Sequence, residues 1–241
     1  MAKAVPGAPF AGPAASAYAD GPPRLVPGYA GLIRMTTMLL AERVPADGRV
    51  LVLGAGGGLE IKAFADAHPG WSFDGVDPSA DMLRLAERTV GPHAARIRLH
   101  QGFIGCAPEG PFDGATAILT FHFIPRDERL STLTAIRRRL TPGAPLVVAH
   151  VSVPDAEPQR SAWLARHAAF GAAEGTDARQ IDAARQTLAT KLSILPPERE
   201  EAMLREAGFS EIGLFYAGFS FRGWVAYADG GAQDRSPYAR E

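Results

Sequence analysis

The run Arg49-Val50-Leu51-Val52-Leu53-Gly54-Ala55-Gly56-Gly57-Gly58-Leu59 decides how the rest of the chain is read. Its first half is a continuous apolar stretch ending at glycine, the pattern of a strand covered on both faces in a parallel sheet. The glycines let the backbone turn tightly and let a ligand approach main chain where a Cβ would stand. Leu59 to His68 then predicts a helix, whose first free N–H groups face the same place. Spacing separates the ligand classes that use such a turn. A dinucleotide fingerprint needs glycine where Leu59 stands, and a phosphate loop needs a Gly-Lys-Ser/Thr triplet for which Lys62 is misplaced. What remains is G-x-G-x-G at Gly54, Gly56 and Gly58.

Outward from this turn, strand and helix signals alternate. Trp71–Val76 predicts a second strand, and Ser79 can cap a helix that runs to about Val90. Arg96–Leu99 reads as a short third strand, and Gly114–Thr120 as a fourth. A helix carrying Leu130, Leu133, Ile136 and Leu140 follows, and Pro145–Val153 is the fifth strand. The alternation predicts an α/β fold, a Rossmann-like doubly wound sheet with its ligand beyond the carboxyl ends of the strands. An entry helix over Leu32–Leu40 precedes the sheet. Residues 154–195 read as a helical cover inserted over the site. Pro196 and Pro197 open another helix, and Ile212–Tyr216 with Phe219–Tyr227 predicts a C-terminal antiparallel strand pair joined through Ala217 and Gly218. The expected organisation is a flexible, proline-rich arm over 1–24, one domain over 25–228, and a flexible tail over 229–241.

Composition narrows the function classes. Twenty-five Lys+Arg against 26 Asp+Glu leave a net charge of −1 on 241 residues, which gives no long-range field for nucleic acid or an anionic membrane. Neither is expected as a partner. Cys106 is alone, which excludes a disulfide framework within the chain and a multi-cysteine zinc site. The six histidines show no metal-ligand spacing, and no metal is expected. No apolar run approaches the ~20 residues of a membrane span, and Pro6 and Pro9 interrupt any signal-peptide core, so a cytoplasmic protein is expected.

Asp77 follows the second strand in Gly75-Val76-Asp77-Pro78-Ser79. A carboxylate there can accept hydrogen bonds from both hydroxyls of a ribose; alone, it could equally be a helix N-terminal acid favoured by the dipole. Together with the glycine turn it points to ribose. Residues Val50 to Leu140 resemble the core of class I S-adenosylmethionine (SAM) methyltransferases, through the glycine turn, Asp77, the Phe112-Asp113 lead-in, Leu119-Thr120-Phe121-His122-Phe123-Ile124-Pro125, and Leu140-Thr141-Pro142-Gly143. Val26-Pro27-Gly28-Tyr29, Glu206-Ala207-Gly208-Phe209 and Phe215-Tyr216 are similar to parts of the carboxy-SAM synthases of the tRNA wobble-uridine pathway.

The resemblance implies a SAM-binding methyltransferase domain over 25–228. It implies a cofactor site built from Tyr29, Gly54, Ala55, Gly56, Gly58, Asp77, Pro78, Met82, Gly102, Phe103 and Leu119, with Phe103 packing by the adenine. Two departures stand out: Val52 replaces an acid in the first strand, and Gly102-Phe103 replaces one after the third. In the synthases an arginine of the helical segment binds the product's extra carboxylate, and a gap-free reading puts it at Arg185. Arg185 shares the stripe Ile181, Leu188 and Leu192, which fits either an anionic partner or a stem that packs while its head reaches water. His122 is the expected general base, with a loop histidine bonded to backbone as the competing reading, and Trp224 is expected in the acceptor pocket. Arg137-Arg138-Arg139 reads as a solvated, dipole-complementing helix end. The expectation is a SAM-dependent methyltransferase for a small-molecule acceptor, in a chain that could be a homodimer. The alternatives are a carboxy-SAM synthase using prephenate and a non-catalytic domain of this fold.

Overall fold

The computed structural model describes residues 21–172 and 175–230. Helix α1 (Gly21–Leu25) and the entry helix α2 (Tyr29–Ala41) lead into β1 (Arg49–Leu53), α3 (Leu59–Ala67), β2 (Ser72–Asp77), α4 (Ala80–Val90), β3 (Ile97–Gln101), β4 (Gly114–Ile118), α5 (Arg129–Arg139) and β5 (Pro145–Val151). The cover helices α6 (Gln159–Gly171) and α7 (Ala178–Lys191) follow, then α8 (Pro197–Glu206), β6 (Phe209–Gly218) and β7 (Phe221–Ala228).

The seven strands order as β3-β2-β1-β4-β5-β7-β6. The first five pair in parallel, and β7 lies antiparallel between β5 and β6. Reversal of strand order between β1 and β4 creates the switch point at which ligands of such sheets sit. Alternation along each strand divides the core in two. Val50 and Val52 face the helices α2, α3 and α4 with Ile61 and Phe64, while Leu51 and Leu53 face α5 and α8 with Ile136 and Leu204. Ser79 caps α4 by accepting from the Met82 N–H at 3.3 Å, as its position predicts.

Four expectations need correction. The end of the expected arm is helical: Gly21–Leu25 forms α1, with Pro22 buried; residues 1–20 lie outside the described residues, as do 231–241 of the expected tail. The β6–β7 reversal is at Phe219 and Ser220, two residues later than Ala217 and Gly218, and Phe219 itself takes φ 48°. The fourth strand stops at Ile118, since Leu119 turns to φ 58° and the next residues form a short 3-10 turn over Phe121–Phe123. Arg137 and Arg139 are ties rather than solvated charges. Arg137 donates to the carbonyls of Gly208 and Asp229, and buried Arg139 donates to those of Pro108 and Ala135.

Candidate active site

Beyond the carboxyl ends of β1, β2 and β4 lies a cleft of about 570 Å³, within the ~300–1,000 Å³ of small-molecule sites. One side is the glycine turn. The Gly54 and Ala55 N–H groups both donate to the Val76 carbonyl, at 2.8 and 3.0 Å, which binds the turn to the end of β2. Gly54 sits at φ +76°, and a Cβ there would stand 2.1 Å from Thr120 Oγ1. Thr120 in turn donates to the Leu53 carbonyl at 3.1 Å, so the β4 loop is strapped across the turn.

Asp77 ends β2 and is largely buried. Its Oδ2 accepts from the Gly56 N–H at 2.9 Å and its Oδ1 from the Ser79 N–H at 2.8 Å. Burial pushes the carboxyl above its ordinary range, and those two bonds oppose the shift. Each oxygen keeps a lone pair for a ligand hydroxyl.

Of the expected cofactor residues, Gly54, Gly56, Asp77, Pro78, Met82, Gly102, Phe103 and Leu119 line the cleft. Tyr29, Ala55 and Gly58 stand outside the lining. Tyr29 packs against the core, Ala55 faces Gly75, and a Cβ on Gly58 would come within 3.0 Å of Ala86, so that glycine serves the approach of α3 to α4. Trp224 is away from the cleft. It is wholly buried on the α5–α8 face, beside the His150 ring at 5.6 Å between centroids, with its indole N–H on Glu201 at 3.3 Å. Arg185 lies outside the lining too and bonds Asp182 at 2.8 Å, one turn back on α7, while its stripe neighbours Leu188 and Leu192 do reach the cleft.

His122 lines the cleft, but its Nδ1 accepts the Val151 N–H at 3.2 Å. Burial, reinforced by the nearby His150, Arg129 and His167, holds the imidazole well below its usual value. A neutral ring whose Nδ1 lone pair is taken carries its proton on Nε2. It therefore offers the cleft a donor, not a base.

Sequence reasoning missed His167, the α1 residues Gly21, Pro22 and Leu25, and Glu128, all of which line the cleft. A signal for His167 existed: Leu164, His167 and Ala168 are the buried residues of α6, at helical spacing on one face. Burial brings His167 down to about 4, and its Nδ1 is in hydrogen-bond contact with Ser220 Oγ. The missing acid of β1 has a counterpart. Glu60 on α3 is buried and accepts at 2.9 Å from Thr116, the residue paired with Val52 on β4. Burial pushes Glu60 up to about 8. Among the described residues no lysine or arginine lines the cleft, and its only formal charges are Asp77 and Glu128. No metal-binding group and no helix long and apolar enough to cross a membrane occur among them either.

The comparisons with known proteins agree with this architecture. An O-methyltransferase family protein from Burkholderia thailandensis superposes with a TM-score of 0.66 at 16% identity, over 91% of this chain and 60% of that one. This is a class I methyltransferase fold. Human N-acetylserotonin methyltransferase, solved in complex with SAM, shares it at a TM-score of 0.53 and 15% identity, over 80% of this chain and 52% of its own. The chain thus spans little more than half the length of these solved methyltransferases. Residues 51–146 match the family described as a methyltransferase domain. Among curated proteins, the carboxy-SAM synthase of Chromohalobacter salexigens is 28% identical over 86% of this chain and 78% of its own length. That of Actinobacillus succinogenes is 26% identical over 88% and 90%.

Proposed function

We propose that this methyltransferase-fold protein binds SAM and transfers its methyl group to a small, largely apolar acceptor that carries no fixed anion. The observation that carries the reading is the Asp77 carboxylate, held by the Gly56 and Ser79 N–H groups at the mouth of a cleft with no lysine or arginine in its described lining. A sulfonium is a cation, and a cleft whose formal charges are both carboxylates fits a cationic donor. In this reading Asp77 receives the ribose hydroxyls, the bare main chain at Gly54 and Gly56 admits the methionine part, and exposed Phe103 packs on the adenine. SAM supplies the methyl group together with its leaving group. The chain's own work is to orient the acceptor and keep water out, for which the apolar wall of Leu188, Leu192, Val151 and Phe221 serves.

A second reading, a carboxy-SAM synthase, is favoured by the names of the curated relatives. Against it, prephenate and the carboxylated product are anions that call for a guanidinium or ammonium, and Arg185 is paired with Asp182 outside the lining. Mass spectrometry of the ligand retained through purification separates the two. SAM or S-adenosylhomocysteine is expected. A carboxylated SAM would transfer the assignment to the second reading, and a retained pyrophosphate compound would overturn both.

A further inference from the structure

Two buried imidazoles face the β4–β5 side of the cleft, away from Asp77 at the end of β2. His122 follows β4, and His167 comes down from the cover on α6. The Nδ1 of His122 is occupied by the Val151 N–H. For His167 the deciding group is Ser220, which is fully buried and whose hydroxyl has His167 Nδ1 as its hydrogen-bond partner. Ser220 cannot reach water, so its proton would be orphaned unless it is donated to that nitrogen, and an orphaned buried donor is costly. Both rings therefore carry their own proton on Nε2. Neither Nε2 has a protein partner among the described residues, and neither is sealed from the cleft. Neither ring has a free lone pair with which to take a proton.

We propose, on the methyl-transfer reading above, that the Nε2–H groups of His122 and His167 receive the acceptor's reacting oxygen as an oxyanion, which makes the substrate an apolar phenol or enol. Fixed N–H donors in a largely apolar cleft favour the anionic form of an acidic hydroxyl. Neither imidazole has a lone pair to take the hydroxyl's proton, and Glu128, the lining carboxylate that follows β4, is exposed to solvent, so the proton leaves to water before transfer, which a phenol or enol permits and an aliphatic alcohol does not. The oxygen lone pair then forms the new O–C bond, and the C–S bond breaks with its electron pair going to sulfur, so no further proton is released. A phosphate ester, with two negative charges, would need a cation that the described lining does not provide, and an ammonium would meet two N–H donors head on.

The test uses 4-nitrophenol, whose ionisation is visible in its absorption spectrum, titrated into the whole protein with SAM present. Bound nitrophenol is expected to be ionised at a pH below its value in water. His122→Phe and His167→Phe should each weaken its binding by roughly tenfold or more, the worth of one hydrogen bond to an anion. His122→Gln and His167→Gln, which keep an N–H donor but cannot act as bases, should retain most of the effect and report on folding. Nitrophenol bound in its neutral form, no binding at millimolar concentration, or Gln variants as impaired as the Phe variants would overturn the proposal. Calorimetry with SAM on the same samples keeps the outcomes apart: absence of SAM binding defeats the methyl-transfer reading itself, whereas SAM binding with neutral nitrophenol defeats only the oxyanion site.

Discussion

The Gly56 N–H donates to Asp77 Oδ2 at 2.9 Å, so the glycine turn after β1 and the acid at the end of β2 are one unit. Asp77 is held from the other side by the Ser79 N–H at 2.8 Å. An asparagine offers one acceptor oxygen where two backbone donors converge, and its amide would confront the second. Asp77→Asn is expected to cost about 1–3 kcal/mol of stability, read as a shift of the urea midpoint at unchanged slope.

Gly54 is expected to tolerate no side chain. Its φ is +76°, and a Cβ would stand 2.1 Å from Thr120 Oγ1. The left-handed conformation alone costs a non-glycine residue about 1–2 kcal/mol. Gly54→Ala should therefore lose more than that; adding Thr120→Ala removes the Oγ1 and Cγ2 contacts but keeps a Cβ at 2.9 Å, so it should recover only part of the loss, while Thr120→Gly should leave the part due to φ. A double-mutant cycle by chemical denaturation measures the recovery.

Glu60 makes stability depend on pH. Its folded value of about 8 lies above the ordinary 4.5, so the folded state holds a proton that the unfolded state has released between these values. Stability falls as pH rises through this window and levels off above it. Glu60→Gln removes the ionisable group and keeps an acceptor for Thr116. The variant should melt higher than the parent at pH 9 and match it near pH 4.5, by scanning calorimetry at both.

Arg129 is wholly buried and donates to Glu200 and to the Ser193 carbonyl, which ties α5 to α8 and to the segment that follows the cover. Burial would raise the Glu200 carboxyl, but His150 and Arg129 outweigh it and hold it below its usual range. Arg129→Met leaves that carboxylate unmatched by its guanidinium. The expected loss is about 3–5 kcal/mol, measured by denaturant unfolding.

Arg185 separates the two readings of function. Its bond is to an exposed aspartate three residues back on the same helix, a kind of pair worth well under about 1 kcal/mol. Arg185→Ala should change neither SAM affinity nor methyl transfer; loss of a carboxylated product in this variant would speak for the synthase.

The parallel core was legible because its signals are local: apolar runs of strand length, a glycine turn, and serine in position to cap α4. The strand pair at the C-terminus was legible as a pair but not in its turn. Gly218 reads as the turn residue, yet it stays in β6, while Phe219 takes the left-handed conformation that usually belongs to glycine. Trp224 shows the other limit. An aromatic near the end of a chain reads the same whether it faces a cleft or a helix, and it is α8 and β5, distant in sequence, that enclose it. His167 was legible as a buried position of α6 beside Leu164 and Ala168, but not as a cleft residue, since only the folding of α6 over the sheet brings it there.

A ribose-binding acid at the end of β2 is what makes this cleft a SAM site. Isothermal calorimetry of SAM against the parent protein and Asp77→Ala tests this most directly. A single SAM site is expected in the parent and, in the variant, affinity weaker by roughly tenfold or more, the worth of hydrogen bonds to a carboxylate. Equal affinity in the two proteins would contradict it.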